Sequence, residues 1–295
     1  MDTHARRTAQ PGQATGTLLR LEGKDALPLL HRISTQALED LAPGTVRATL
    51  FCDRRGRLLH RAIVAATSDR AVWLLRPDAP TLPLLEFLEL FIFRDDVRAT
   101  VPREDWSVHL VPRSVGLPPG TLREREGRPH EVQIRPDWAL ALAPAAAPAP
   151  DAGLERARIL AGLPRHGHEI AEPFTPFEVG LGPEVHLHKG CYTGQEALLR
   201  MMTYQGVRRR LVRVQGPGAP PGAPFEIHAG AKSVGWVTST ASETADAATS
   251  APRAPGWTGL AVITHAASEP GAALTVEQGA IEIAHRFEIL PPLGL

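Results

Sequence analysis

One stretch of the chain concentrates side chains capable of chemistry: Lys189-Gly190-Cys191-Tyr192-Thr193-Gly194-Gln195-Glu196, followed by Ala197-Leu198-Leu199-Arg200. Thr193 and Glu196 have the spacing of a capping box, in which the hydroxyl accepts from the third helical amide and the carboxylate from the Thr193 amide. The spacing predicts a loop running into a helix, with Cys191 two residues before the helix start and Lys189 close by. A positive helix end and a neighbouring ammonium both favour a thiolate, so Cys191 is the best candidate for a reactive thiol. Gly190 and Gly194 allow tight backbone turns beside a ligand. The competing reading makes Cys191 a small packed side chain, Glu196 only a cap and Gln195 only a loop tie. Composition adds a signal. The chain has 29 Arg, three Lys, two Tyr and no Asn, yet Lys189, Cys191, Tyr192 and Tyr204 share one window of 16 residues.

Other constellations are less specific. His166-x-His168 and His186-x-His188 would each point to one face of a strand, and Cys191 near the second pair invites a metal test. Twelve scattered His make polar contacts the simpler reading, and no metal is assigned. Arg54, Arg55, Arg57 and Arg61 crowd one hairpin and Arg208-Arg209-Arg210 form a run. They suit an anionic ligand, an RNA backbone or a solvated face. Aromatic residues, at 5%, offer no stacking platform for bases.

These residues need elements to hold them. Thr17–Glu22 reads as a strand and Asp25–Gln36 as a capped helix with Leu27, Leu30 and Ile33 on one face. Val46–Phe51, Leu58–Ala66 and Ala71–Leu75 read as strands, with a hairpin loop at Cys52–Gly56. Leu82–Phe93 reads as a buried helix with Glu86 and Glu89 on a solvated edge, and Val97–Val101 and Trp106–Val111 as strands. Residues 1–16 read as a tail, Ala143–Ala152 as a Pro/Ala-rich linker, and Gly153–Gly162 as a short helix. After Met202 short β runs (Arg209–Val214, Phe225–His228, Val234–Ser239, Trp257–Thr264, Ala273–Glu277) alternate with Gly/Pro turns, which suggests a small all-β barrel or sandwich. Ser242–Ala254 reads as a loop within it.

At 295 residues the chain suggests about two domains, with three small ones possible. A hydrophobic content of 43% supplies real cores, and equal counts of basic and acidic residues, 32 each, exclude a strongly cationic nucleic-acid coat. No uninterrupted apolar run reaches membrane-spanning length and no secretory signal is read. Two cysteines argue against a disulfide framework and for a reducing compartment.

The string KGCYTGQE resembles the signature of the YgfZ family, within the superfamily of the glycine-cleavage T-protein. Arg158-Ile159-Leu160-Ala161-Gly162-Leu163-Pro164, Gly167, Glu169-Ile170 and Thr175–Leu181 extend the resemblance upstream, and Gly23–Ala26 with Leu30 and Gly56–Leu59 carry it toward the N-terminus. It implies an α+β, three-lobed, ring-like T-protein-type fold with a C-terminal all-β barrel lobe. The lobes would be 1–45 with 150–205, a second α+β lobe at 46–149, and a barrel at 206–295. It further implies a cytoplasmic or organellar protein that binds tetrahydrofolate or a related folate and supports iron–sulfur enzymes or their assembly, with an indirect link to tRNA modification. Cys191 and Lys189 would carry thiol chemistry. Glu178, Tyr192, Gly194, Gln195, Glu196 and Arg200 would shape the folate site, with Glu178 accepting from the amino-pyrimidine edge. The competing role for Glu178 is a capping box with Thr175 and Pro176.

Two departures matter. Aminomethyl-transferring relatives place an acidic residue on the strand after the Gly turn, where this chain reads His60-Arg61. Where relatives often have Thr-Asn-Asp, it reads Thr35-Gln36-Ala37. The expected function is therefore a folate-binding accessory protein. A tetrahydrofolate-dependent aminomethyltransferase or demethylase is the alternative, and a scaffold without a small ligand is the third reading.

Overall fold

A computed structural model describes residues 16–102, 106–144, 152–243, 256–269 and 271–294. The expectations for residues 1–15, for most of the 143–152 linker and for most of the 242–254 loop lie outside these residues.

The chain opens with β1 (Thr17–Glu22), α1 (Ala26–Ile33), β2 (Val46–Cys52), β3 (Leu58–Ala66), β4 (Val72–Arg76), α2 (Leu82–Glu89) and β5 (Arg98–Thr100). The five strands form one antiparallel sheet in the order β2-β3-β4-β1-β5. This sheet runs across the division expected at residue 45, because β1 pairs with β4 and β5. Strand side chains alternate between faces. Val64, Leu74 and Phe51 face α1 and α2, where Leu29, Leu30, Leu84 and Leu88 cover them. Ile63, Leu75 and Trp73 face the other way, onto a second sheet.

That second sheet comprises β6 (Trp106–Val111), β7 (Thr121–Arg125), β8 (Arg128–Arg135) and β9 (Trp138–Pro144), ordered β6-β9-β8-β7. The last three strands were not foreseen. Charged residues in β7 and β8 mask the period-2 pattern, and the β7–β8 turn is Glu126-Gly127, both at positive φ (54° and 70°). That backbone suits a tight hairpin, but Glu is not among the usual residues for it.

Next come α3 (Ala152–Leu160), one-turn 3-10 helices at Pro176–Val179 and Gly182–Glu184, and α4 (Gln195–Arg200). A π-turn at Met201–Gln205 leads to β10 (Arg209–Pro217), β11 (Phe225–Ala229), β12 (Lys232–Glu243), β13 (Gly256–Thr264), β14 (Leu274–Val276) and β15 (Gly279–Arg286). These six strands close a barrel, β10-β13-β12-β11-β14-β15, with β15 pairing back onto β10. Sequence patterning marked five of the six. β15 escaped it.

Two helical expectations are corrected. The helix read as Leu82–Phe93 ends at Glu89, leaving Leu90 and Phe93 exposed at 67% and 85%. Asp25 does not cap α1 through its side chain; its Oδ2 accepts from the Asp96 amide at 2.8 Å and ties the helix start to the loop before β5.

The segment from α3 to α4 joins the parts. Ile159, Phe177, Val179, Tyr192 and Leu198 share one core with Leu50 and Leu58 of the first sheet and with Leu211 and Leu260 of the barrel. The chemically interesting stretch therefore lies where the first sheet meets the barrel.

Candidate functional site

The 189–196 loop presses against the β2–β3 hairpin. Gly194 has φ +87°, and a Cβ there would stand 2.5 Å from the Asp53 carbonyl oxygen and 3.2 Å from the Gly56 Cα. Only glycine tolerates both constraints. Gly194, not Thr193, is therefore the residue before α4, and the expected Thr193–Glu196 capping box does not form. Glu196 instead accepts from Arg200 at 2.5 Å, with the side chains 77% and 62% exposed. Gln195 Nε2 donates to the Leu187 carbonyl at 2.6 Å and ties the loop.

Lys189 and His31 clasp each other. The ammonium donates to the His31 carbonyl, and His31 Nε2 lies 2.8 Å from the Lys189 carbonyl. The ammonium also sits 4.8 Å above the Tyr192 ring. Burial lowers the Lys189 pKa to about 8, against a smaller opposing pull from Glu39. Tyr192 is buried, and its hydroxyl finds no hydrogen-bond partner among the described residues. Burial raises the Tyr192 pKa, as does the nearby Cys52, whose own thiol burial pushes up. Cys191 is exposed.

Glu178, 6% exposed, does form the foreseen cap: its Oε2 accepts from the Thr175 amide at 2.9 Å and the Thr175 hydroxyl at 3.0 Å. The same carboxylate also takes a fork from Arg209, Nε to Oε1 at 2.7 Å and Nη2 to Oε2 at 3.0 Å. Arg209 lies over the Phe174 ring at 5.2 Å and donates to the Pro173 carbonyl, as Arg57 of the hairpin also does. Oε1 thus accepts once and keeps a second acceptor position. Sequence reasoning saw Arg209 only as part of a basic run; nothing local distinguishes it from its neighbours.

Position 60–61 has its own solution. Arg61 Nε and Nη2 donate to Glu184 at 2.7 and 2.6 Å, with side chains 17% and 12% exposed. Arg135, at the end of β8, feels both charges, and burial lowers its pKa. A carboxylate missing from the strand is thus present beside it, supplied by the 3-10 turn. The 35–36 loop fixes that turn: Thr35 Oγ1 donates to the Glu184 carbonyl at 2.7 Å and Gln36 Nε2 to the Pro183 carbonyl at 3.3 Å. Glu184 was not singled out from sequence; its partner lies 123 residues away.

The structure thus links Lys189, Tyr192, Gly194 and Gln195 to the hairpin and α1, and Glu178 to Arg209 on the same shared core. Glu196 and Arg200 pair with each other at the surface. Of the histidine pairs, His168 Nδ1 lies 2.6 Å from the Thr238 carbonyl, and His186 Nδ1 accepts from the His188 amide at 3.2 Å. No group of three His, Cys, Asp or Glu set to hold a metal occurs among the described residues.

Two antiparallel sheets, a closed six-stranded barrel and a connecting segment rich in carboxylate–arginine pairs define an architecture seen before. The fold matches the crystal structure of glycine cleavage system aminomethyltransferase T from Bartonella henselae with a TM-score of 0.70, over 95% of this chain and 85% of that one, at 16% identity. By sequence the chain is 33% identical over 262 residues to "Putative transferase At1g60990, chloroplastic" from Arabidopsis thaliana, a match covering 75% of this chain and 59% of that protein. It is 41% identical over 83 residues to the aminomethyltransferase of Caldanaerobacter subterraneus, 28% of this chain and 22% of that protein. No protein-family model matches. The chain therefore spans about three-fifths of the length of the Arabidopsis relative, and its match to the aminomethyltransferase is local. In sequence the chain is similar to this transferase and, locally, to an aminomethyltransferase, and its fold is that of the aminomethyltransferase T structure. No helix among the described residues is long and apolar enough to cross a membrane.

Proposed function

We propose that this chain is a folate-binding accessory protein of the YgfZ type, with Glu178 as the carboxylate that recognises the pterin. The observation that carries the reading is the Glu178–Arg209 pair: a nearly buried carboxylate, oriented by Thr175, with an acceptor position left on Oε1. The amino-pyrimidine edge of a folate presents adjacent N–H donors, which a fixed carboxylate accepts. Bound tetrahydrofolate would supply nitrogens that carry one-carbon groups. Arg209 keeps Glu178 aimed, and Phe174 offers an apolar surface beside it. The KGCYTGQE loop supports the accessory role, with Cys191 exposed for thiol work on iron–sulfur enzymes or their assembly partners, and through them on tRNA modification. In this reading Lys189, Tyr192, Gly194 and Gln195 position the loop.

The Arg61–Glu184 pair favours a second reading, a tetrahydrofolate-dependent aminomethyltransferase or demethylase, because it puts a carboxylate beside the position where aminomethyl-transferring relatives carry one. Three assays test these readings. Equilibrium dialysis against tetrahydrofolate is expected to give saturable binding, whereas none at high protein concentration removes the folate reading. Expression of Cys191→Ala in cells lacking the chain is expected to leave iron–sulfur enzyme activity low; full restoration removes the thiol role. Turnover of an amine-borne one-carbon donor with tetrahydrofolate would favour the transferase.

A further inference from the structure

Some arginine side chains of this molecule meet a carboxylate along the Nε–Nη2 edge. Arg61 and Arg209 each present Nε and Nη2 to the two oxygens of a glutamate, at 2.6 to 3.0 Å. That parallel fork is the strongest and most directional way for arginine to hold a carboxylate. Arg76, at the end of β4, is 2% exposed, more deeply buried than either. Its Nη1 donates to the Pro80 carbonyl at 2.9 Å, while Nε and Nη2, the same fork-forming edge, have no hydrogen-bond partner among the described residues. Burial lowers its pKa to about 10, leaving it a cation at neutral pH. A buried cation with two unsatisfied donors is costly, and the usual remedy is an anion.

The surroundings specify which anion. Arg76 follows Val72 and Leu74 in side-chain alternation, so it points to the helix-covered face of the first sheet. Ala62 and His60 of β3 lie on that face, and His60 meets Phe87 of α2 edge-on, with ring centroids 5.4 Å apart. His166 stacks on His60 at 6.0 Å with the rings nearly parallel. The Arg76 charge acts on both imidazoles, and with burial it holds both neutral, His60 near pKa 4. His60 Nδ1 and His166 Nε2 are buried without partners as well. Asp78 acts on the Arg76 charge without hydrogen-bonding it, and its Oδ2 accepts from the His166 amide at 2.8 Å. Three separate elements thus bring buried, unsatisfied polar groups close together, and Gly167, next to His166, is exposed.

We infer that Arg76, with His60 and His166, forms a binding site for the carboxylate of a small organic acid. One cation, two neutral rings and a nearby Asp78 suit a single negative charge on a planar group, and disfavour a dianionic phosphate. The Phe87 and Ala62 side suits the apolar part of the acid. The site stands apart from the Glu178–Arg209 pair and does not rest on the folate reading.

The test uses the full chain with 15N-labelled histidine, titrated with acetate, phosphate or chloride at matched ionic strength. His60→Gln and His166→Gln assign the two ring signals. Acetate is expected to move both along one saturating curve and to raise the melting temperature. Phosphate should bind more weakly, and chloride should give only a small linear drift. Arg76→Lys keeps the charge and loses the fork, and should weaken acetate by about tenfold or more. Should that variant not fold, His166→Gln is expected to weaken acetate while keeping the native circular dichroism. Drift identical for acetate and chloride overturns the proposal, as does tighter binding of phosphate or undiminished acetate binding in Arg76→Lys or His166→Gln. Tetrahydrofolate dialysis on the same variants separates the two sites: retained folate binding with no acetate binding anywhere removes only this site.

Discussion

The ammonium of Lys189 rests between a carbonyl oxygen and an aromatic face, and burial lowers its pKa to about 8. The sign is plain: near pH 8 half of this amine is neutral, while an ordinary lysine titrating near 10.4 is still charged. Acetylation followed by peptide mapping should therefore show Lys189 reacting with a midpoint near pH 8, well below that of a lysine in a short model peptide. A profile that superimposes on that of the model peptide would contradict the burial argument. Lys189 and Tyr192 were legible because both types are rare in this chain. Arg209 and Glu184 were not, because 29 arginines make any one anonymous and each pair closes over a long sequence separation.

The 189–196 loop has its shape because Gly194 lets two backbones approach. Gly194→Ala adds a Cβ 2.5 Å from the Asp53 carbonyl at φ +87°, so it should cost about 2 kcal/mol or more in urea unfolding. Gly190→Ala shares the positive φ but meets no atom within 4 Å, and should cost less. Equal losses would mean that strain alone, not the contact with the hairpin, explains Gly194. Sequence placed a helix start here but misplaced its boundary, since Thr193 and Glu196 satisfy the capping pattern as well as any true box. What decided the matter was a contact with residues 53–56, which local pattern does not encode. Glu178 shows the converse: Thr175, Pro176 and Glu178 gave the cap correctly, because the distant Arg209 binds the carboxylate without displacing the local bonds.

Across the molecule, the connecting segment and the barrel are pinned by one buried carboxylate. Glu169, fully buried, accepts from Arg158 at 3.2 Å, the Arg165 amide at 3.0 Å, Thr238 at 2.5 Å and Ser239 at 2.7 Å. Glu169→Gln removes the charge opposite Arg158 and should destabilise the fold by about 3 to 5 kcal/mol. A loss below about 1 kcal/mol, the range of exposed pairs, would contradict this role. Acid should also weaken the whole molecule. His60, His166 and His168 all have pKa values lowered by burial, His60 to about 4. Below about pH 6.5 the unfolded chain takes up protons that the folded chain refuses, so stability is full above that pH and declines toward pH 4. The urea midpoint should fall between pH 7 and 5, and fall less in His60→Gln; a flat profile would contradict it. At this scale the barrel was legible from short strands between Gly/Pro turns. The second sheet was not, because its charged strands and Glu-Gly turn hide the pattern.

The account turns on Glu178 as a carboxylate held ready by Arg209. Calorimetric titration of tetrahydrofolate into the wild-type chain and into folded Glu178→Gln tests it most directly. Saturable binding to the first, weakened by about tenfold or more in the second, is the predicted result; no binding to the wild type, or equal affinity in both, would contradict it.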